Sequence, residues 1–333
     1  MDPAYGVSRE PMSSVTTDKA NRIPLVVVAG PTASGKSELA IRIAEAFGGE
    51  VINADSMQVY RELEILTARP GPDDLARVRH HLFAIQSLTE PCSAAAWLER
   101  AVTVIGDVHA RGRLPVLCGG TGFYIRSLLE GLVSIPEIPV HVKTGSRDKH
   151  AALGGKAFRA LLADRDPVTA ERLADGDTHR LIRAWEVVEA TGRSLEDWKA
   201  DDQVPALPFD AVTIAVIPDR EALYAACDGR FIAMVGRRAM DEARRVVALD
   251  IDPSLPGMKA LGLPEFLSHL RDEITFEEAV EHAQRATRRY AKRQITWFRH
   301  QFIPKILVSA QYSKRIEEVI FPKIRRLLLT PPL

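Results

Sequence analysis

Leu25-Val26-Val27-Val28-Ala29, Gly30-Pro31-Thr32-Ala33-Ser34-Gly35-Lys36-Ser37 and Glu38 to Phe47 follow one another without a gap, and their reading decides the fold. The first five residues are a short, largely β-branched run, the pattern of a strand buried on both faces of a parallel sheet. The last ten have helical periodicity, and Gly48-Gly49 ends them. The eight residues between match G-x-x-x-x-G-K-[ST] in full, and they lie between a strand and a helix as a phosphate-binding loop requires. Glycines let backbone N–H groups close around phosphate oxygens, and the helix N-terminus adds a favourable dipole. Lys36 is suited to reach a phosphate as a point charge, and the Ser37 hydroxyl is suited to Mg²⁺. The motif predicts a polyphosphate ligand without specifying hydrolysis.

The same strand–turn–helix grammar repeats outward. Val51-Ile52-Asn53 reads as a second strand, ending in Ala54-Asp55-Ser56. Residues 94–111 read as a helix, Leu114 to Cys118 as a third strand ending in Gly119-Gly120-Thr121-Gly122, and Phe123 to Glu130 as the next helix. Val212 to Ile217 and Ile306 to Val308 are further strand candidates, and 219–250 and 276–302 read as long amphipathic helices. The fold class is α/β, a P-loop NTPase-like parallel sheet with flanking helices and a helical insertion domain. Residues 23–134 and 205–333 are expected to form the core. Residues 135–204 form the insertion, loosened at its start by Pro136, Pro139, Gly145, Gly154 and Gly155 and bounded near Pro205 and Pro208. Residues 1–22 are polar and are expected to be a disordered extension, with Met12 an alternative start.

Composition narrows the function classes. A hydrophobic content of 46% and a charged content of 26% are those of a globular protein. No apolar run approaches the length of a membrane span, and the first twenty or so residues lack the apolar core of a secretion signal. Cys92, Cys118 and Cys227 are widely spaced, with no C-x-x-C pair, which fits a reducing cytoplasm and neither a zinc site nor a disulfide framework. The 44 Lys and Arg balance the 44 Asp and Glu, so no global field draws in nucleic acid. The distribution is uneven, however: Arg285, Arg288, Arg289, Lys292, Arg293 and Arg299 lie in a stretch with no acid, which predicts a local basic surface.

Nucleotide-hydrolysing P-loop proteins usually carry a metal-holding acid on a second strand. Here the third strand ends without one, and Asp55 stands at the end of the second. Strand C-termini line the ligand crevice of such sheets, so Asp55 is a candidate general base or metal-side ligand, although Asp-Ser is also good turn chemistry. Thr121 is a candidate hydrogen-bond donor, and the glycines around it permit close backbone approach, as they would in a plain strand-to-helix turn. Arg220 follows a strand end and is suited to bidentate phosphate contact. His80-His81 has no partner at metal spacing and reads as packed or surface. Arg180 and Arg183, with His179 beside them, form either a solvated face or a nucleic-acid contact.

Together these segments resemble the tRNA dimethylallyltransferases, also called tRNA isopentenyltransferases, from about Pro24 to Gln301. GPTASGKS at 30–37 is similar to the family's P-loop, and INADSMQVYRELEILTARP at 52–70 to its second signature. HHLFAI at 80–85, CSAAAW at 92–97 and CGGTGFYIRSLLEGL at 118–132 follow in order. DPVTAERL at 166–173 and DTHRLIRAWEVVEATG at 177–192 resemble the insertion, and MKALGLPEF at 258–266 and ATRRYAKRQITWFR at 286–299 the C-terminal signatures. Departures are Leu66, where many members have glycine, Trp185, where an aliphatic residue is common, Leu263-Pro264, which replaces a frequent aromatic–basic pair, and the run Val140 to His150, which fits the family poorly.

The resemblance implies transfer of a dimethylallyl group from dimethylallyl diphosphate to the exocyclic amine of the adenine just 3′ of the anticodon in tRNA. It implies that the loop from Thr32 to Ser37 holds the diphosphate and that Asp55 takes the amine proton, with Thr121 and Arg220 flanking the reacting centre. Ser56, Met57 and Gln58 would contact the flipped base and its neighbours. His179, Arg180, Leu181, Ile182 and Arg183, and Lys259, Ala260, Leu261, Gly262, Leu263 and Pro264, would touch the anticodon stem-loop. The expected partners are tRNA and dimethylallyl diphosphate, with no membrane, and the expected state is a monomer. The rival readings are a P-loop small-molecule kinase, an isopentenyltransferase acting on free adenine nucleotides, and an RNA-binding GTPase-like switch.

Overall fold

A computed structural model describes residues 22–133, 135–201 and 209–329. The expected N-terminal extension and the expected boundary at Pro205 and Pro208 lie outside the described residues, apart from Arg22. Among the described residues, six strands are β1 (Ile23–Ala29), β2 (Gly49–Asn53), β3 (His80–His81), β4 (Leu114–Gly119), β5 (Phe209–Val216) and β6 (Ile306–Val308). The helices are α1 (Lys36–Phe47), α2 (Pro72–Arg77), α3 (Ala94–Ala110), α4 (Gly122–Glu130), α5 (Val140–Ala163), α6 (Pro167–Arg172), α7 (Thr178–Thr191), α8 (Leu195–Asp201), α9 (Arg220–Gly236), α10 (Ala239–Val247), α11 (Leu263–Leu270), α12 (Phe276–Gln301) and α13 (Lys314–Leu329). The chain divides into two compact units, residues 1–129 with 207–333, and residues 130–206.

In the first unit the strands form one sheet in the order β3-β2-β4-β1-β5-β6, every pair parallel. The unbroken apolar run of β1 has its cause in burial on both faces. Leu25, Val27 and Ala29 pack into one layer with α3, α4 and α9 to α12, while Val26 and Val28 pack into the other with α1 and α13. Burying one such side chain contributes about 1.5–3 kcal/mol, so a polar residue on either face would be felt at once. Because all strands run the same way, their C-terminal ends share one edge. β1 and β4 are neighbours, and the chain leaves β1 across β4 towards β2 but leaves β4 across β1 towards β5, so the two connections run in opposite directions and open a crevice at that edge.

The stretch 219–250 is two helices rather than one. α9 ends at Gly236, and Arg238 takes a left-handed backbone (φ 68°) before α10 begins. His80-His81 is a short strand against β2, and the His81 Nε2 lies 2.6 Å from a Glu50 carboxylate oxygen that the Arg111 guanidinium also reaches at 2.6 Å.

The second unit contains α5 to α8, and α5 to α7 supply a core of Phe158, Leu162, Ala170, Leu181, Ala184, Trp185 and Val188. Its start is less loose than the glycines predict. Helix runs from Val140 through Gly145, and the break falls at Gly154 (φ 73°, ψ 164°). A Cβ on Gly155 would lie 1.9 Å from the Asp175 carbonyl oxygen, so this glycine serves close packing. Trp185 fills the core, its ring 5.7 Å from Phe158 and flanked by Lys149 at 4.6 Å and Arg165 at 5.0 Å.

Candidate active site

The P-loop spans the end of β1 and the start of α1. Ala33 (φ 60°) and Gly35 (φ 85°) take left-handed backbones that curl the loop, and Gly30 has no room for a side chain, since a Cβ there would lie 2.4 Å from the Val216 carbonyl oxygen. Lys36 is buried and its Nζ donates to the Pro31 carbonyl at 3.2 Å. Burial lowers its pKa from the ordinary 10.5, with the charge of Asp55 opposing and that of Arg230 adding to the drop. The Ser34 hydroxyl is buried with no hydrogen-bond partner, an unusual cost for a polar atom unless a ligand supplies one.

Asp55 lies just past β2 on a tightly tied turn. Its backbone N–H donates to Asn53 Oδ1 at 2.8 Å, and its Oδ1 accepts the Met57 N–H at 2.9 Å. Asn53 is anchored in turn: its Nδ2 donates to the carbonyls of Asp55 (3.0 Å) and Leu82 (3.1 Å), and its own carbonyl accepts the Trp97 indole N–H at 2.9 Å. One Asp55 oxygen is therefore the turn cap that sequence chemistry suggested, and the carboxylate nonetheless lines the cleft. The Thr121 hydroxyl accepts the Ser56 N–H at 2.9 Å and donates to Ser56 Oγ at 3.2 Å.

The glycines around Thr121 make room for protein. A Cβ on Gly119 would lie 2.1 Å from the Ala54 carbonyl oxygen, one on Gly120 would meet Gln294 Nε2 at 2.4 Å, and one on Gly122 would meet the Trp297 ring at 2.4 Å. Gln294 bridges the two loops: its Oε1 accepts the Thr32 N–H at 2.8 Å, and its Nε2 donates to the Gly120 carbonyl at 2.9 Å.

These elements line a cleft open to solvent, formed by Thr32, Lys36, Ser37, Asp55, Gln58, Thr67 and Arg230 among others. A smaller, more apolar pocket shares Thr32 and Arg230 with it and adds Leu66, Cys227, Phe231, Met234 and Leu261. Burial pushes the thiols of Cys118 and Cys227 up to about 11, so neither is a thiolate nucleophile near neutral pH. The arrangement unites an anion cradle, two cations, a carboxylate and an apolar recess. That combination suits transfer of an apolar fragment from a phosphate leaving group to a nucleophile whose proton needs an acceptor.

The sequence matches the IPP transferase family over residues 58–301. The chain belongs to that family. It is 49% identical over 309 residues to a tRNA dimethylallyltransferase of Paramagnetospirillum magneticum, covering 93% of this chain and 98% of that one. It is 50% identical over 296 residues to one of Rhodospirillum rubrum, covering 89% and 91%. Among solved structures it resembles the tRNA isopentenylpyrophosphate transferase of Bacillus halodurans (TM-score 0.66, 30% identity, 92% of this chain and 98% of that one). It also resembles a eukaryotic dimethylallyltransferase described as acting on tRNA (TM-score 0.77, 26% identity, 91% and 80%).

In this member of the family Asp55, Thr121 and the P-loop stand together, whereas Arg220 does not join them. Arg220 is exposed at the first position of α9, its guanidinium 5.1 Å from the Tyr224 ring, and Arg230 is the arginine that lines the cleft. On α7, His179 and Arg180 are exposed, while Leu181 is fully buried in the core of its unit. Lys259 and Pro264 are exposed, Leu261 lines the apolar pocket, and Ala260 and Leu263 are buried. At Gly262 (φ 89°) a Cβ would lie 2.6 Å from Phe231 and 2.9 Å from Leu66.

Residue-by-residue reading missed Arg230, Tyr290 and Gln294. Tyr290 lies on α12 near Asp55, and burial, reinforced by the Asp55 charge, raises its pKa. A signal for Arg230 and Gln294 was present. Arg230 falls on the α9 face that buries Cys227 and Met234, and Gln294 on the α12 face that buries Ala291 and Phe298. A polar side chain on a buried helical face needs a partner.

Proposed function

We propose that the protein transfers the dimethylallyl group of dimethylallyl diphosphate to the exocyclic amine of the adenine just 3′ of the anticodon in tRNA, releasing diphosphate. The observation that carries this reading is the meeting of the P-loop and Asp55 in one cleft that has an apolar recess beside it. The loop from Gly30 to Ser37 would cradle the diphosphate, with the orphaned Ser34 hydroxyl and Lys36 donating to its oxygens. Leu66, Phe231, Met234 and Leu261 would exclude water around the prenyl chain. The adenine amine is a weak nucleophile because its lone pair is delocalised into the ring. As its nitrogen bonds to the first carbon of the prenyl group, the carbon–oxygen bond to diphosphate breaks and a proton leaves the nitrogen for Asp55. Negative charge gathers on the departing diphosphate, where Lys36, Arg230 and the loop N–H groups stabilise it.

The cleft also suits Mg²⁺. Among the residues lining it, Ser37, Asp55 and Asp74 could supply oxygens, the ligand type that Mg²⁺ takes. Among the described residues no cluster of three or more His, Cys, Asp or Glu could hold a metal unaided. Mg²⁺ binds in that manner, through few protein oxygens, substrate phosphates and retained waters. When bound, the ion would neutralise charge on the leaving diphosphate.

The target base must leave its stack, which costs a few kcal/mol. Contacts to the RNA backbone from His179, Arg180 and Arg183, from Lys259, and from the exposed Arg289, Lys292 and Arg293 would offset that cost. The test is mass spectrometry of tRNA nucleosides after incubation with the protein, Mg²⁺ and dimethylallyl diphosphate. The expected result is an adenosine gaining one dimethylallyl group. Unmodified tRNA together with phosphorylation of a small molecule from ATP would overturn the reading in favour of a kinase.

A further inference from the structure

We infer that Glu242 is a positioning residue for base recognition, acting on the cleft through the loop that follows Leu63. Glu242 lies on α10 and is fully buried. Its carboxylate accepts three consecutive backbone N–H groups, those of Glu64 (2.6 Å), Ile65 (2.9 Å) and Leu66 (2.8 Å). Burying a carboxylate is costly unless donors surround it. Three amides from one turn supply that compensation and fix the turn in place.

The next two residues carry the effect into the cleft. The carbonyls of Thr67 and Ala68 accept the Gln58 side-chain amide at 3.0 and 2.9 Å. Ala68 is itself held in a left-handed backbone (φ 50°). Thr67 is tied by its hydroxyl to the Leu63 carbonyl at 2.6 Å, so its carbonyl direction is set by the turn. A backbone carbonyl only accepts, so both partners of Gln58 face its NH₂ end. The orientation of the amide is thereby determined.

This commits both amide hydrogens of Gln58 to protein and leaves Oε1 as the group it can offer a ligand. Gln58 lines the cleft beside Asp55. An acceptor at that position favours a base presenting an N–H donor, as the adenine amine does. Selection then depends on the turn, and the turn depends on Glu242. The inference rests on the adenine-transfer reading above.

A double-mutant cycle tests it, with kcat/KM measured for the parent, Glu242→Gln, Gln58→Ala and the double variant. Glu242→Gln keeps the volume but turns one donor group against the backbone N–H groups. Each single variant is expected to lose about tenfold or more, and the double to fall within about threefold of the weaker single, because coupled residues are not additive. A second arm measures binding of an anticodon stem-loop carrying adenine and of one carrying purine, which lacks the amine, at the target position. The adenine-to-purine affinity ratio is expected to fall in Glu242→Gln towards its value in Gln58→Ala. A general loss of packing would weaken both RNAs alike and leave the ratio unchanged. If Glu242→Gln does not fold, Glu242→Asp, which keeps the charge one methylene short, replaces it in both arms. Losses that multiply, or a ratio held at the parent value, overturn the inference. A parent that binds RNA but transfers nothing overturns the adenine-transfer reading instead, and the binding arm still decides the role of Glu242.

Discussion

Lys36 and Asp55 make opposite demands on the cleft. Burial depresses the lysine's affinity for its proton, while the Asp55 charge partly restores it. With the folded pKa below the unfolded 10.5, the charged lysine weakens the empty fold at neutral pH, and that penalty fades as pH rises from the folded pKa towards 10.5. Lys36→Met is therefore expected to raise the melting temperature of the ligand-free protein at pH 7, by a margin that shrinks with rising pH. The same variant should lose diphosphate binding. A margin that grows with pH would contradict the burial argument. Asp55 is tested by Asp55→Asn, which keeps the turn cap to Met57 and loses the proton acceptor. Single-turnover transfer should slow by about 10²–10⁴-fold, while dissociation constants for RNA and diphosphate change little. A rate within about threefold of the parent would eliminate the general-base role, and partial recovery at raised Mg²⁺ would transfer the role to metal binding. The residue scale is where the sequence was most legible. Lys36 and Asp55 announce themselves by position at strand ends, because topology alone brings those ends together. Gln294 and Glu242 could not be read this way, since their partners lie 262 and 176 to 178 residues away.

α12 has two faces with separate duties. Gln294 and Trp297 recur at helical spacing and reach the P-loop, Gly120 and Gly122. Arg289, Lys292, Arg293 and Arg299 are exposed, whereas Arg285 is paired with Glu281 and Arg288 with Asp228. The basic set read from sequence is thus smaller in effect than its count, because acids from one turn earlier and from α9 neutralise part of it. Alanine at Arg289, Lys292 and Arg293 together is expected to weaken tRNA binding and to flatten the plot of log affinity against log salt by about 2–3 units, at 0.7–0.9 per phosphate contact released. Diphosphate affinity should stay near the parent value, since none of the three lines the cleft. An unchanged slope would remove this face from the RNA surface. The break between α9 and α10 shows the limit of reading periodicity. The apolar pattern continues across 219–250, and only the left-handed backbone of Arg238 interrupts the helix.

At the scale of the molecule, the cleft belongs entirely to the first unit, since every residue lining it and its apolar neighbour falls within 1–129 or 207–333. The parallel sheet and its switch point follow from the strand–turn–helix repeat, which is why the fold class could be read before any contact was known. The internal order of the second unit could not, because glycine-rich composition does not distinguish a loosened chain from a helix interrupted once, at Gly154. That unit has its own apolar core, with Leu181 and Trp185 inside and His179 and Arg180 outside on the same helix. Replacing residues 130–206 with a flexible Gly/Ser linker should therefore remove RNA contacts without removing any cleft residue. Diphosphate affinity is expected to remain within about threefold of the parent, and affinity for an anticodon stem-loop to fall at least about tenfold, the loss of one or two good backbone contacts. Circular dichroism and thermal unfolding of the shortened chain establish that the sheet persists. Undiminished stem-loop affinity would confine RNA binding to the first unit and make the basic residues of α7 a solvated face. Loss of diphosphate binding in a folded variant would mean that the P-loop depends on the second unit, a dependence that no residue lining the cleft implies.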